Sequence, residues 1–266
     1  MNDASQSDAA YVHSERPSPH VMLIRFTRSA KRNALSNPMV LELARLLTEA
    51  HNDPGIRAVV ITGDDAAFSA GADLKNMQKG GVTTVVHDPK RVDAWRVIDK
   101  FPKPLIAAVN GYALGAGNEL AMCCDFVIAG RNAQFGQPEV KTGGMPGDGG
   151  TQRLPRKVGP NLAAYMIMTG NSIDAETAFR VGYAVEVCEV KDTVRRACEI
   201  AEVIASRAPF AVRSSKACIA VAVGATLENG LAFERYSIIR NHTSADRAEG
   251  LAAFLEKRPP KFVGEN

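Results

Sequence analysis

A carboxylic acid, Glu119, follows a turn whose residues carry little or no side chain. This turn, Gly115-Ala116-Gly117, comes after the apolar run Leu105–Val109 and before an apolar segment that starts at Leu120. We interpret the order as strand, tight turn and helix N-terminus, which leaves backbone N–H groups unpaired at the positive end of a helix dipole. Such a turn can hold an anion or a polarised carbonyl oxygen. Alternatively, Glu119 is a surface acid that complements the dipole, although its neighbours are almost all apolar or small.

A second turn of small residues, Phe68-Ser69-Ala70-Gly71-Ala72-Asp73-Leu74, follows another apolar run, Ala58–Thr62. Taken alone, it is an ordinary loop between a strand and a helix. Because ligands of α/β folds bind at the carboxyl ends of strands, both turns could face one crevice. One backbone N–H group from each turn would then form an oxyanion hole, and the small residues would let a ligand approach closely.

The elements that position these turns begin with a strand, a helix and a strand. Val21–Phe26 is rich in branched and aromatic residues, and residues 39–50 carry apolar side chains at helical spacing. With the strand Ala58–Thr62, this order predicts an α/β fold with a parallel sheet covered by helices. A further strand is predicted at residues 126–129, and the last third of the chain reads as helical.

Composition excludes several classes of protein. The 266 residues are 45% hydrophobic and 23% charged, and a net charge of +3 is too small to indicate a nucleic-acid partner. Five cysteines without CxxC spacing indicate reduced thiols, and the scattered histidines offer no metal site. No apolar run approaches the roughly 20 residues that span a bilayer, and residues 1–20 have no targeting features. We expect a cytoplasmic protein that binds neither membrane nor metal, with residues 1–20 as a loose tail.

The glycine-rich stretches do not match nucleotide-binding motifs. The loop of residues 142–151 lacks the Lys-Ser/Thr ending of a P-loop. In the turn before Glu119, Leu120 stands where a dinucleotide fingerprint has its third glycine.

Four blocks of the sequence resemble the crotonase (enoyl-CoA hydratase/isomerase) superfamily. They are Lys31-Arg32-Asn33-Ala34-Leu35 and the segments 68–74, 110–120 and 135–151. The resemblance extends over residues 21–262. It implies a spiral of repeated ββα units at residues 21–200 and a C-terminal helical trimerisation region at residues 201–266. It also implies a homotrimer or homohexamer.

The ligand implied by this resemblance is an acyl thioester of coenzyme A, which is a substrate, so no cofactor is expected. The oxyanion-hole N–H groups fall on Ala70 and Ala116, and the two catalytic glutamates on Glu119 and Glu139. In hydration of a 2-enoyl-CoA, Glu119 would deprotonate water and Glu139 would protonate the α-carbon. The other positions that match substrate-binding or coenzyme A-binding residues are Lys31, Arg32, Ala34, Gly71, Ala72, Asp73, Leu74, Gly115, Gly147, Phe254 and Lys257.

Two residues depart from the family pattern. Ala116 replaces the middle glycine of the first turn, although alanine still offers its N–H group. Asp148 follows Gly147 where a small or apolar residue is expected. It either caps the following helix or faces the pocket, where it would indicate a polar acyl group.

Two other functions remain open on the sequence. A Δ3-Δ2-enoyl-CoA isomerase, or another crotonase-type enzyme, would need one glutamate as a proton shuttle, and Glu139 fits that role. A non-catalytic acyl-CoA-binding or scaffold protein would need neither acid. The presence of both Glu119 and Glu139 favours a hydratase.

Overall fold

The computed structural model describes residues 7–74, 78 and 88–264. The strands of this part are β1 (Val12–Ser18), β2 (Val21–Phe26), β3 (Ala58–Thr62), β4 (Ala67–Ser69), β5 (Leu105–Val109), β6 (Tyr112–Leu114), β7 (Phe126–Gly130), β8 (Gln134–Gly136), β9 (Ser172–Asp174) and β10 (Glu186–Cys188). Its helices are α1 (Asn37–Asn52), α2 (Pro89–Asp99), α3 (Ala116–Cys123), α4 (Gly150–Val158), α5 (Pro160–Thr169), α6 (Ala175–Arg180), α7 (Thr193–Ala205), α8 (Pro209–Ala222), α9 (Leu227–His242) and α10 (Ala245–Leu255).

The strands form two sheets. The larger has the order β1-β2-β3-β5-β7-β10 and is parallel except at β1, which pairs antiparallel with β2. The smaller has the order β4-β6-β8-β9, and only β9 is antiparallel to its neighbour. In the pairs β3–β4, β5–β6 and β7–β8, the first strand joins the larger sheet and the second joins the smaller one. This winding confirms the predicted α/β spiral of ββα units.

The central strands of the larger sheet, β2, β3, β5 and β7, are buried on both faces, which explains their continuous apolar sequences. Side chains alternate along β3, so Val59 and Ile61 join the core beneath α1, whereas Ala58 and Val60 join a second core. The second core is closed by small residues of α7, including Ala201.

The smaller sheet positions the turns that the sequence analysis singled out. Its strands β4, β6 and β8 are adjacent and parallel, so their carboxyl ends lie at one edge. The turn after β4 contains Ala70–Ala72, and the turn after β6 contains Gly115. Glu139 begins a short 3₁₀ helix just beyond β8. The two turns and Glu139 therefore meet at this edge, as ligand sites do in α/β folds.

The prediction of a loose tail at residues 1–20 is wrong for residues 12–18. These residues form β1, in which Val12 is buried, and residues 1–6 lie outside the described part. The expected boundary between residues 200 and 201 falls inside α7, which packs on the larger sheet. The helices beyond the core begin at Pro209.

No helix in residues 7–74, 78 and 88–264 is long and apolar enough to cross a bilayer. The His, Cys, Asp and Glu side chains of the same residues form no group that could hold a metal ion. All five cysteines are free thiols, as predicted.

Gly117 has no room for a side chain, because α3 begins against the end of β4. A Cβ atom on Gly117 would lie 2.3 Å from the Ser69 carbonyl oxygen and 2.7 Å from the Ser69 Cβ. We expect Gly117→Ala to lower the free energy of unfolding by about 1–3 kcal/mol in urea denaturation. The matched control is Gly224→Ala, where no atom lies within 4 Å of the added Cβ and little change is expected. Equal stability of the two variants would contradict this account.

Candidate active site

Two backbone N–H groups project from the adjacent turns without an acceptor among the described residues. Leu35 N–H donates to Gly71 O at 2.7 Å and Asp73 N–H donates to Leu35 O at 3.1 Å, a pairing that turns the N–H of Ala72 away. Ala116 is the first residue of α3, where an N–H group has no intrahelical acceptor. A Cβ on Gly71 would lie 3.7 Å from Ala116 N, so the two turns are in contact.

Ala70 does not fit the role predicted for it. Its N–H donates to the carbonyl oxygen of Arg32 at 2.9 Å, so this group is already paired. The bond instead joins the turn to the basic loop of residues 28–35. In this structure the unpaired N–H group of the turn belongs to Ala72, two residues further on.

The basic loop presents two cations beside the turn that contains Ala70–Ala72. Lys31 and Arg32 are exposed, and the Arg32 guanidinium lies 5.4 Å from the centre of the Tyr112 ring. Arg28 Nη1 donates to Ala34 O at 3.1 Å, which holds the loop from inside. Lys31 and Arg32 can therefore meet an anionic ligand at this edge, whereas Ala34 contributes to the loop's conformation.

Asp73 is used within the protein. Its carboxylate is buried, accepts from Arg28 Nη1 at 2.9 Å and lies 3.5 Å from Lys31 Nζ. Arg28 also pairs with Asp8 at 2.9 Å, which ties the N-terminal segment to the turn. Leu74, by contrast, is 58% exposed. Asp73 thus fixes the turn and the basic loop, and the exposed Leu74 side chain remains free to contact a ligand.

Glu119 lies in the first turn of α3 and is 1% exposed. Its Oε1 accepts hydrogen bonds from the N–H of Asp148 at 2.9 Å and of Gly150 at 2.6 Å. Burial raises the pKa of Glu119 to about 7, and the negative charges of Asp148 and Glu139 act in the same direction. The surface-acid interpretation of Glu119 is therefore wrong.

Glu139 lies beside the turn that contains Gly115. A Cβ on Gly115 would stand 3.0 Å from its Oε1, while its Oε2 is buried and has no hydrogen-bond partner among the described residues. Burial raises the pKa of Glu139, and the charge of Asp148 adds to this effect. A raised pKa and an unpaired carboxyl oxygen suit a group that exchanges a proton.

Buried amides support the first turn of α3. Asn118 is fully buried, accepts from the hydroxyl of Tyr183 and contacts the Gln137 amide. The sequence analysis assigned no role to these three residues. Gln137 stands within the fourth block, but nothing in the sequence indicates that its side chain reaches α3.

Asp148 forms a buried ion pair with Arg91 of α2. Arg91 Nη1 donates to Asp148 Oδ1 at 2.6 Å and Nη2 donates to Oδ2 at 2.5 Å. No side chain caps α4, whose N-cap residue is Gly149, so the interpretation of Asp148 as a helix cap is wrong. Its carboxylate is also neutralised by Arg91, which removes the reason to expect a polar acyl group. The sequence analysis missed Arg91, which is 57 residues away in the chain.

Three further predicted residues are exposed. A Cβ on Gly147 would meet no atom within 4 Å, so this backbone borders open space. Phe254, in α10, is 80% exposed, and Lys257 follows that helix. Among the described residues, no hydrogen bond or ion pair joins Phe254 or Lys257 to the turns.

A known protein family matches this chain. A sequence model of the family described as enoyl-CoA hydratase/isomerase covers residues 17–265. The chain belongs to this family. It is an enzyme with crotonase-type activity and is similar to proteins named enoyl-CoA hydratases.

The similarity extends over almost the whole chain. The 2,3-dehydroadipyl-CoA hydratase of Escherichia coli is 43% identical over 244 residues, which are 92% of this chain and 95% of that protein. A mitochondrial enoyl-CoA hydratase from Pongo abelii is 40% identical, covering 97% and 90% respectively. The crystal structure of an enoyl-CoA hydratase from Bacillus anthracis superposes with a TM-score of 0.92 at 38% identity, covering 96% of this chain and all of that one.

The buried Glu119 makes the stability of the fold depend on pH. The carboxyl would ionise near 4.5 in the unfolded chain but only near 7 in the folded protein. Its stabilising contribution is therefore complete below pH 4.5 and is lost as the pH rises to about 7. We expect Glu119→Gln to raise the free energy of unfolding at pH 8 by on the order of 3 kcal/mol, and by much less at about pH 5. Urea denaturation at both pH values measures this, and equal changes would contradict it.

Proposed function

We propose that this protein catalyses the reversible hydration of a 2-enoyl-CoA thioester to a 3-hydroxyacyl-CoA. The observation that carries the proposal is the position of two carboxyl groups with raised pKa, Glu119 and Glu139, beside two unpaired N–H groups. Several relatives about 40% identical to this chain are named enoyl-CoA hydratases, which supports the same reaction.

In this proposal, the N–H groups of Ala72 and Ala116 bind the thioester carbonyl oxygen. That oxygen gains negative charge as the thioester becomes an enolate, and two donors aimed at it stabilise the charge. Loss of one such donor typically lowers the rate ~10²–10³-fold. The absence of acceptors for both groups among the described residues supports the assignment, and the small side chains leave the backbone accessible.

The two glutamates would divide the proton transfers. Ionised Glu119 takes a proton from water while the water oxygen bonds to C3 and the C2=C3 electron pair moves toward the thioester. Protonated Glu139 then delivers its proton to C2, and in dehydration the roles reverse. A pKa of about 7 allows Glu119 to be ionised near neutral pH, and the raised pKa of Glu139 helps it to hold a proton.

Lys31 and Arg32 would bind the phosphates of coenzyme A. Both side chains are exposed on the loop that packs against the Ala72 turn, and phosphates favour such cations. Because coenzyme A belongs to the substrate, the proposal includes no separate cofactor. Gly147 would border the reacting end of the acyl group, since it lies one residue before the N–H of Asp148 that holds Glu119.

Glu119→Gln and Glu139→Gln test the reaction. We expect each to lower kcat about 10²–10⁴-fold, because each removes one proton-transfer group but keeps the side-chain volume. Hydration of a 2-enoyl-CoA is followed by loss of the conjugated enoyl absorbance. Isomerisation of a 3-enoyl-CoA is followed, in parallel, by the appearance of that absorbance. Glu176→Gln, at an exposed glutamate paired with Arg131, is the control and should keep wild-type kcat.

Other outcomes of this assay would contradict the proposal. Hydration at the wild-type rate in Glu119→Gln would exclude Glu119 as the base. If the wild-type protein turns over the 3-enoyl-CoA but not the 2-enoyl-CoA, the result would favour an isomerase that uses Glu139 as a proton shuttle. Binding of acyl-CoA without turnover of either thioester would indicate a non-catalytic protein.

We also propose that the chain assembles as a homotrimer or homohexamer through its C-terminal helices. Helix α9 has no buried residue. Its exposed apolar side chains include Leu227, Leu231, Tyr236, Ile238 and Ile239. Apolar surface of this kind is typical of an interface between proteins. In such an assembly, Phe254 and Lys257 would reach the site of a neighbouring subunit.

Ile239→Glu tests the assembly. Ile239 is 61% exposed, so the substitution should leave the single chain folded while placing a charge in the interface. We expect the mass measured by light scattering to fall from that of three or six chains toward that of one. Glu228→Gln in the same helix is the control, and a monomeric wild-type protein would contradict the proposed assembly.

A further inference from the structure

The ion pair between Arg91 and Asp148 is buried beside the proposed catalytic carboxyls. The two side chains are 6% and 11% exposed, and two parallel N–H···O bonds join them. The Arg91 guanidinium also lies 5.6 Å from the centre of the Trp95 ring, one helical turn further along α2. Two parallel hydrogen bonds fix the orientation of the carboxylate as well as its position.

Asp148 connects this ion pair to Glu119 through its backbone. The N–H of Asp148 donates to Glu119 Oε1, and the carbonyl oxygen of Asp148 accepts from Arg153 Nη1 at 2.8 Å. The neighbours of Asp148 in the chain are Gly147, Gly149 and Gly150, whose backbones have wide conformational freedom. The ion pair between Arg91 and Asp148 therefore restrains a peptide whose glycine neighbours restrict its conformation little.

We propose that Arg91 is a positioning residue: it holds Asp148 so that the Asp148 N–H fixes Glu119 in the orientation that the reaction uses. This inference rests on the proposed hydration, in which Glu119 is the base. Arg91 itself touches neither substrate nor reacting atoms in this scheme. It acts on Glu119 only through the loop and through the charge of Asp148.

The charges around Glu119 make this role measurable. Asp148 and Glu139 are negative, Arg153 is positive, and the Cys123 thiol lies on the same helix. Removing the Arg91 charge leaves the Asp148 carboxylate unbalanced near Glu119, which disfavours ionisation of Glu119. Removing the Asp148 charge has the opposite effect.

Three variants distinguish a positioning role of Arg91 from a merely structural one. For each variant, the pH dependence of kcat and of kcat/KM is measured with a 2-enoyl-CoA. Arg91→Gln should lower kcat about 10–10²-fold and move the acid limb of kcat/KM up by about one pH unit. Asp148→Asn should move that limb down. Arg91→Lys keeps the charge but loses the paired hydrogen bonds, so kcat should fall while the limb stays in place.

The matched control is Arg96→Gln, which breaks the exposed pair with Asp93 on the same helix and should change neither kcat nor the limb. Wild-type kcat with an unmoved limb in Arg91→Gln would overturn the proposal. The proposal would also be overturned if all three variants lost thermal stability but kept the wild-type kcat and pH profile. If Arg91→Gln does not fold, the kcat of Arg91→Lys decides, and a wild-type value overturns the proposal.

A direct titration distinguishes failure of this inference from failure of the proposed function. If the wild-type protein does not hydrate a 2-enoyl-CoA, the proposed function is wrong, but the link between Arg91 and Glu119 can still be tested. The ¹³C signal of the Glu119 carboxyl then reports its titration in Arg91→Gln and Asp148→Asn. Opposite shifts of that titration support the link from Arg91 to Glu119, and identical titration curves overturn it.

Discussion

Close approach of two backbone turns is the constraint on which the rest of the site depends. At Gly71, φ is +105° and a Cβ would lie 2.9 Å from Leu114 O, so both conformation and space favour glycine. Gly117 is restricted by space, because a Cβ there would lie 2.3 Å from the Ser69 carbonyl oxygen. These contacts bring the N–H groups of Ala72 and Ala116 to one edge. Larger side chains at the glycines would push the turns, and with them the donors, apart.

The second constraint is electrostatic. Three carboxyl groups, those of Glu119, Glu139 and Asp148, are close enough to influence one another's charge. Asp148 is matched by Arg91, whereas Glu119 has only backbone N–H donors and Glu139 Oε2 has no partner among the described residues. Because Asp148 is paired with Arg91, the two glutamates are the acids in which burial opposes ionisation. Pairing with a cation and a raised pKa thus fall on different carboxyls within one small volume.

Local patterns in the sequence predicted what local forces determine. β3 and β5 are continuous apolar runs because this part of the sheet is buried on both faces. The strands that lead directly into the two turns, β4 and β6, were not predicted, because strands of three residues are too short to show a periodicity. The choice between Ala70 and Ala72 could not be predicted, since it depends on pairing with Arg32 and Leu35 far away in the chain. β1 was missed because five consecutive residues of this edge strand are exposed, which removes any apolar alternation. The partner of Asp148 was missed because a distant arginine carries no sequence signal.

The spiral winding also affects the order in which parts of the structure form during folding. β4, β6 and β8 come from successive units, and each supplies one part of the site: the Ala72 turn, the Ala116 turn and Glu139. Pairing strands that are far apart in the chain is slow, because loops must close before the contacts form. A partly folded chain that has built α1 and β2–β3 therefore holds a sheet and a core but has not yet brought the N–H groups of Ala72 and Ala116 together. During refolding, recovery of turnover would report registration of the smaller sheet, an event later than the recovery of helical content.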